Sequence, residues 1–248
     1  MRSLPAGRTK HVSISYLHGM EQSSQKWIGG FPFVEYRPAQ KQAPDMVRAS
    51  QAFYEAMRTR RTIREFSAEA VPYEVIENCL LTASTAPSGA NKQPYTFCVV
   101  SDPEIKKKIR EAAEKEEHES YHHRMSEEWL ADIKPLQTDW HKPFLETAPY
   151  LIAVFKRAYE VGDDRAKKNN YYVNESVGLA CGFLLAALHQ AGLSALTHTP
   201  SPMNFLSAVL NRPDNERPFL LIPVGYAAAD CVVPDLKRKT SEEFIVRY

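Results

Sequence analysis

The spacing of apolar residues along the chain predicts five helices. Residues 46–60 (MVRASQAFYEAMRTR) place apolar side chains near one face of a helix that ends near Arg60. A second helix (VPYEVIENCLLTASTA) has Pro72 at its first turn, and a third, long and charged, follows Asp102-Pro103. The most apolar helix is YYVNESVGLACGFLLAALHQAGL, which Gly192 ends, and MNFLSAVLN is a short one.

Between these helices lie short runs rich in β-branched and aromatic residues, which predict strands. They are YTFCVV, APYLIAVFK, RPFLLIPVGYA and a short C-terminal FIVRY, and LSALTHTPSP begins as a strand or a turn. Strands separated by helices indicate one α+β domain over residues 46–248, with a sheet flanked by helices. Residues 1–45 mix Gly, Pro and polar residues without a period, so we expect an extended arm that wraps a neighbour or is partly disordered.

Composition narrows the class of protein. The formal net charge of +1 argues against a nucleic-acid-binding protein, which usually carries a broad basic excess. The N-terminus has no continuous apolar segment and the apolar helix is too short for a membrane span, so we expect a soluble, cytoplasmic protein. None of the four cysteines has the spacing of a zinc site, so no metal is expected, and free thiols favour a reducing compartment.

Against this near-neutral background, the segment RTRRTIREF concentrates arginines. Arg58, Arg60 and Arg61 could stabilise the C-terminal end of a helix dipole, but Arg64 lies past that helix. The alternative is anion capture, because guanidinium groups match phosphate oxygens in pairs.

Two other segments have both an ordinary and a functional interpretation. The loop TAPSGANKQP either connects a helix to a strand or lets backbone N–H groups approach a flat ligand. Glu117 and Tyr121 are four residues apart on the charged helix and so share one side of it. They are either part of a solvated face or, with Lys142, a clamp for the ammonium and carboxylate groups of an amino acid.

Seven stretches of the chain, from about Pro44 to the C-terminus, carry a resemblance to a known family. They are RRTIREF, TAPSGA, the E-x-x-x-Y helix, DWHKPFLETAP, YYVNESVGLACGFLLAALHQAGL, LIPVGY and VPDLKRK. In this order they resemble the nitroreductase superfamily of flavin enzymes and, within it, the iodotyrosine deiodinases, a family of reductive dehalogenases. The resemblance implies a nitroreductase-type α+β fold with a central mixed sheet flanked by helices, assembled as a domain-swapped homodimer.

The resemblance also implies FMN as the cofactor and assigns residues to it. Most of the arginine cluster would bind the FMN phosphate, with Arg64 nearer the flavin ring. A second loop would lie against the isoalloxazine. The edge of the flavin ring would face residues 197–199, in which Thr199 is the candidate for a catalytic hydrogen bond to flavin N5. The cofactor residues implied are Arg60, Arg61, Thr62, Arg64, Arg238, Pro87, Ser88, Gly89, Thr197, His198 and Thr199.

A halotyrosine is the implied substrate. Glu117 is expected to hold its α-amino group, Lys142 and Tyr121 its carboxylate, and the Ala90 N–H its phenolate. His198 interrupts a tract that is rich in threonine in the animal enzymes, which leaves its protonation state open. Those enzymes also follow an N-terminal membrane anchor, and since we see none here the resemblance implies a soluble form.

The implied activity is the reduction of mono- and di-iodotyrosine to tyrosine plus halide, by two one-electron transfers from reduced FMN. The electrons would come from a reductase or an NAD(P)H system, and the sequence names neither the donor nor the natural halogen. Two alternatives stay open: a general flavin nitroreductase or quinone reductase, and a non-catalytic FMN-binding or ligand-binding protein.

Overall fold

The computed structural model describes residues 25–163 and 165–248. The chain divides into two units, residues 1–50 and 51–248, and their boundary lies inside helix α1 (Ala43–Arg58). The predicted arm therefore falls partly on residues 1–24, which lie outside the described residues. The predicted boundary between residues 45 and 46 stays a prediction.

The described part of the first unit contains a hairpin and the beginning of α1. Strands β1 (Lys26–Ile28) and β2 (Phe31–Phe33) pair antiparallel, with Ile28 opposite Phe31. Gly29 and Gly30 form the two-residue turn, and both have positive φ, +58° and +84°. Glycine tolerates this conformation, and such a turn matches the twist of the strands that it joins.

A four-stranded sheet forms the centre of the second unit. Its order is β3 (Tyr95–Val100), β4 (Tyr150–Arg157), β8 (Glu216–Gly225) and β7 (Ser194–Ala195), and all neighbouring strands are antiparallel. A parallel bridge from Thr62 to Ala195 makes the sheet mixed at this edge. Strands β5 (Tyr159–Val161) and β6 (Lys167–Asn169) form a separate hairpin.

Helices cover both faces of this sheet. The buried side chains of β4 alternate between the two faces of the sheet. Ile152 and Val154 pack toward α2 (Tyr73–Ser84) and α6 (Val173–Gln190). Leu151, Ala153 and Phe155 pack with residues of α3 (Pro103–Glu119), α5 (Phe144–Thr147) and α7 (Phe205–Val209). The α+β architecture with a sheet flanked by helices is confirmed.

Two elements differ from prediction. The charged helix α3 ends at Glu119 and continues as a π-helical turn, Ser120–Arg124, before α4 (Glu127–Ile133) and a 3-10 turn (Lys134–Leu136). The predicted strand FIVRY is wrong: α8 (Ser241–Phe244) includes its first residue, and residues 245–248 pair with no strand of the described chain. The reason is a capping box between Thr240 and Glu243, which starts a helix there. No helix in residues 25–163 or 165–248 is long and apolar enough to span a membrane.

Candidate functional site

The arginine segment leaves α1 and runs along the edge of the sheet. Ile63 is buried and its N–H donates to the Ala195 carbonyl over 3.3 Å, which anchors the segment. Arg60, Arg61 and Arg64 stay half-buried beside it. Burial lowers the pKa of the Arg64 guanidinium below its ordinary value, and the Tyr121 phenol opposes this shift.

These arginines line a cavity of about 320 Å³, together with Thr62, Leu136, Pro234, Leu236, Lys237 and Arg238. Arg238 bridges the end of α1, because its Nη1 and Nη2 donate to the carbonyls of Arg58 and Arg60, each over 2.9 Å. Arg61 donates to the Pro234 carbonyl. Arg58 lies in the last turn of α1 and pairs with Glu55 over 3.0 Å.

The charge balance of this cavity favours an anion. In the described part of the chain, no carboxylate forms an ion pair with Arg60, Arg61, Arg64 or Arg238. Several guanidinium groups without an acidic partner fit a phosphate monoester, whose oxygens accept paired N–H donors. The donor set therefore fits the phosphate end of FMN.

A second cavity, of about 300 Å³, adjoins the first. It shares Thr62, Arg64, Leu136 and Pro234 with it and extends to Gln137 and Val232. Arg64 thus lines both spaces. Its charge also acts on Tyr121, Lys142 and His198, so it lies near these three residues.

The three predicted clamp residues are brought together. Lys142 Nζ lies 3.4 Å from Glu117 Oε2 and 5.4 Å from the centre of the Tyr121 ring. The exposed fractions are 4% for the Lys142 side chain and 10% for that of Glu117, so this is a buried ion pair. Lys142 Nζ also donates to Thr138 Oγ1 over 3.3 Å and to the Asp139 carbonyl.

Burial dominates the electrostatics of this pair. It raises the pKa of Glu117 and lowers the pKa of Lys142, and the attraction between the two charges opposes both shifts. Burial also raises the pKa of Tyr121, whose hydroxyl donates to the Thr138 carbonyl over 3.2 Å. Tyr121 lies in the π-helical turn that follows α3, a local widening that is frequent at functional sites.

The tract Thr197–His198–Thr199 alternates like a strand. His198 exchanges two 2.9 Å backbone hydrogen bonds with Leu221, and its side chain is buried while both threonines are exposed. The two hydroxyls therefore lie on the side opposite the imidazole. The His198 ring meets Phe144 edge to face at 5.6 Å, and Nε2 has no hydrogen-bond partner among the described residues.

Burial lowers the pKa of His198 to about 3, and the positive charges of Lys142 and Arg64 add to this effect. The question that the sequence left open is thereby answered, because the imidazole is neutral at physiological pH.

The predicted flavin loop, residues 87–90, contacts helix α6. The Gly89 N–H donates to Ser176 Oγ on α6 over 3.3 Å, and a Cβ at Gly89 would come within 2.9 Å of the Tyr171 carbonyl. Pro87 is exposed, Ser88 Oγ accepts from the Gln93 N–H, and Ala90 has φ +48°. Within the described residues, no hydrogen bond, ion pair or ring contact joins this loop to the arginine cavity or to the clamp.

Sequence reasoning missed several groups that support the clamp. Thr138 and Asp139 contact Lys142, and the carboxylate of Glu114 accepts from the Lys142 N–H over 2.7 Å. Their signal was weak, because residues 134–143 have no period and Glu114 lies on a helix crowded with charges. Among the described residues, no group of three or more His, Cys, Asp or Glu could hold a metal ion.

Comparison with known proteins gives a consistent result. Residues 57–226 match the model of the nitroreductase family. An iodotyrosine deiodinase of Haliscomenobacter hydrossis is 64% identical over 216 residues, which are 87% of this chain and 97% of that protein. Human iodotyrosine deiodinase 1 is 44% identical over 94% of this chain and 82% of its own length.

A solved structure is also similar. It is an oxidised iodotyrosine deiodinase bound to FMN and 3-iodo-L-tyrosine, with a TM-score of 0.67 and 34% identity, and the alignment covers 79% of this chain and 98% of that one. These matches cover most of this chain, and the sequence and the fold both indicate the same family. The chain belongs to the nitroreductase family and, within it, to the iodotyrosine deiodinases.

Proposed function

We propose that this protein is an FMN-dependent enzyme that reductively dehalogenates halotyrosines, releasing tyrosine and halide. The observation that carries the proposal is the buried Glu117–Lys142 pair with Tyr121, together with a cavity lined by arginines that have no acidic partner among the described residues. A general nitroreductase has no need of a matched acid and ammonium in its substrate site. The similarity to an iodotyrosine deiodinase bound to FMN and 3-iodo-L-tyrosine supports the same assignment.

The arginine cavity is the proposed phosphate site. Arg60, Arg61 and Arg238 would neutralise the phosphate dianion with paired N–H donors, and Thr62 would add a hydroxyl. Arg64, which lines both cavities, would lie nearer the ring system. Reduced FMN, when bound, supplies the two electrons that convert a carbon–halogen bond and a proton into a carbon–hydrogen bond and a halide ion.

The clamp is the proposed site of the amino-acid group. An incoming ammonium would pair with Glu117 and an incoming carboxylate with Lys142, so one internal ion pair becomes two intermolecular ones. Such pairs are stronger in a site that excludes water than at the surface. The segments that carry Glu117, Tyr121 and Lys142 would then close over the substrate and keep water out.

Thr199 is the proposed catalytic residue. Its hydroxyl is exposed on the same side as that of Thr197, where it can donate a hydrogen bond to the edge of the cofactor. His198 stays neutral beneath them and adds no charge at this edge.

A homodimer is the proposed assembly. Among the described residues of one chain, no hydrogen bond, ion pair or ring contact joins the loop of Pro87, Ser88, Gly89 and Ala90 to the other site residues, so the partner's copy would supply it. An apolar cavity of about 600 Å³, with Phe53, Val75 and Phe183 in its lining, offers a surface that a second copy can cover by exchanging elements.

The electron donor is proposed to be a reductase or an NAD(P)H system. The compartment is proposed to be the cytoplasm, since all four cysteines, which lie in the described part of the chain, are free thiols.

The test is anaerobic mixing of the dithionite-reduced, FMN-loaded protein with 3-iodotyrosine, while flavin oxidation, iodide and tyrosine are measured. Stoichiometric release of iodide and tyrosine is expected. Binding without release would indicate a ligand-binding protein, and fast NAD(P)H-driven turnover of a nitroaromatic without deiodination would indicate a nitroreductase. Protein that stays colourless after incubation with FMN would refute the assignment of the cofactor.

A matched variant tests the clamp. Glu117→Gln keeps the shape of the side chain and removes its charge, so the substrate ammonium loses its charged partner while Lys142 can still pair with the substrate carboxylate. We expect the dissociation constant for 3-iodotyrosine to rise by about a hundredfold, which is the scale of a lost buried charge pair. The dissociation constant for FMN should change much less.

A further inference from the structure

Polar contacts tie helix α3 to residues 142–148 turn by turn. At the beginning of the helix, the Nζ of Lys106 donates to the carbonyls of Glu146 and Ala148 over 2.8 and 2.9 Å, and Lys106 is buried. One turn on, Arg110 Nη1 donates to Glu146 Oε1 over 3.2 Å. The segment therefore runs antiparallel to α3, with its higher-numbered end at the beginning of the helix.

The next turn carries Glu114. Its Oε1 accepts from the Lys142 backbone N–H over 2.7 Å and from Arg110 Nε over 2.7 Å. Its side chain is 18% exposed, so water competes little for this oxygen. Charge-assisted hydrogen bonds of this length are among the stronger ones in proteins.

One turn beyond Glu114, the clamp begins. Glu117 lies on α3 and Lys142 on the facing segment, with 3.4 Å between Lys142 Nζ and Glu117 Oε2. The two charges that would hold a zwitterion are therefore on different elements. Their separation depends on the register between those elements, and the contact nearest to the clamp that sets this register is the one between Glu114 and the Lys142 backbone.

We propose that Glu114, held by Arg110, is a positioning residue for the amino-acid clamp. It touches neither substrate nor cofactor, and it fixes the Lys142 backbone where the ammonium faces Glu117. The proposal rests on the proposed function, because the clamp has meaning only for a zwitterionic ligand. The inference adds that selectivity for a free α-amino acid depends on the carboxylate of Glu114, which lies outside the ligand site.

A purely structural role for Glu114 predicts something different. A carboxylate that only holds α3 to its neighbour would, when removed, lower stability and weaken every ligand of the site by the same factor. A positioning role instead changes the relative affinity of ligands that use both halves of the clamp and ligands that use one.

The experiment compares 3-iodotyrosine with its decarboxylated analogue, 3-iodotyramine, which keeps the phenol and the ammonium and lacks the carboxylate that Lys142 would hold. Both dissociation constants are measured by calorimetry on FMN-loaded wild type, Glu114→Ala and Glu114→Gln. Glu111→Ala is the matched control, since Glu111 is exposed one turn earlier on the same helix. The weaker ligand is measured by displacement.

The wild type is expected to prefer 3-iodotyrosine. Glu114→Ala should lower that preference by about tenfold, the scale of one lost charge-assisted hydrogen bond. Glu114→Gln should lower it less, because its amide oxygen can still accept from the Lys142 N–H. Glu111→Ala should leave the preference unchanged.

An unchanged preference in Glu114→Ala, even with a lower melting temperature, would refute the positioning role alone. If Glu114→Ala does not fold, the isosteric Glu114→Gln decides, and a preference equal to that of the wild type refutes the role. A wild type that does not bind 3-iodotyrosine at all would refute the proposed function and this inference with it.

Discussion

His198 should make the folding stability depend on pH in a direction that its burial determines. The pKa of its ring is lowered to about 3 in the folded protein, against about 6.5 in the unfolded chain. Between these values the unfolded state binds a proton that the folded state does not bind. The free energy of unfolding therefore falls as the pH drops from about 6.5 toward 3.

The magnitude follows from the two pKa values. At pH 7.5 the imidazole is neutral in both states and contributes almost nothing to the pH dependence. At pH 5 it is about 1.5 pH units below the pKa of the unfolded chain and still neutral in the fold. One pH unit corresponds to about 1.4 kcal/mol, so His198 alone should remove about 2 kcal/mol of stability between pH 7.5 and 5.

The assay is denaturant unfolding of the wild type and of His198→Gln at both pH values, with FMN in excess so that cofactor occupancy is matched. The variant, which cannot titrate there, should lose about 2 kcal/mol less than the wild type over this interval. His141→Gln is the control, because the His141 side chain is 53% exposed. Equal losses in the wild type and His198→Gln would refute the conclusion that the fold holds this ring neutral.

Two further predictions concern the cofactor. Arg238→Met should raise the dissociation constant for FMN by about ten- to a hundredfold, because the cavity loses one guanidinium and its bridge to the end of α1. Flavin fluorescence measures this dissociation constant, and Lys239→Met is the control. An equal effect of both variants would indicate net charge and not this site. Thr199→Ala should slow iodide release from the reduced protein by about tenfold with little change in 3-iodotyrosine affinity, which rapid mixing resolves. Thr197→Ala should do less, and the reverse order would show that the catalytic hydroxyl was assigned to the wrong threonine.

The sheet and its helices were predictable because their signals are local. The buried strand β4 is a continuous apolar run, and α6 is the longest apolar helix, ended by Gly192 with φ +80°. FIVRY has an equally apolar, β-branched composition, yet residues 245–248 form no strand in the described chain. A strand needs a neighbour to receive its hydrogen bonds, and composition alone does not reveal whether one is near.

The site was predictable to a smaller extent. The spacing of Glu117 and Tyr121 placed both on one side of a helix, and in the structure both lie near Lys142. Lys142 is distant in sequence, so the sequence left open whether it joins them, and the resemblance to known enzymes favoured it. Glu114 had no signal, because a glutamate on a charged helix is usually solvated, and its role depends on a backbone N–H that only folding brings near.

The two halves of the site differ in how their charges are balanced, and this difference determines which ligands they accept. The arginine cavity holds cations that have no acidic partner in the described part of the chain, so it gains most from a dianion such as a phosphate monoester. The clamp is already neutral, since Glu117 and Lys142 satisfy each other. A ligand with a single charge would pair with one of them and leave the other buried and unpaired, which is costly. A zwitterion would separate the pair and leave neither charge alone, so the proposed selection for a free amino acid would follow from local charge balance in a chain whose net charge is only +1.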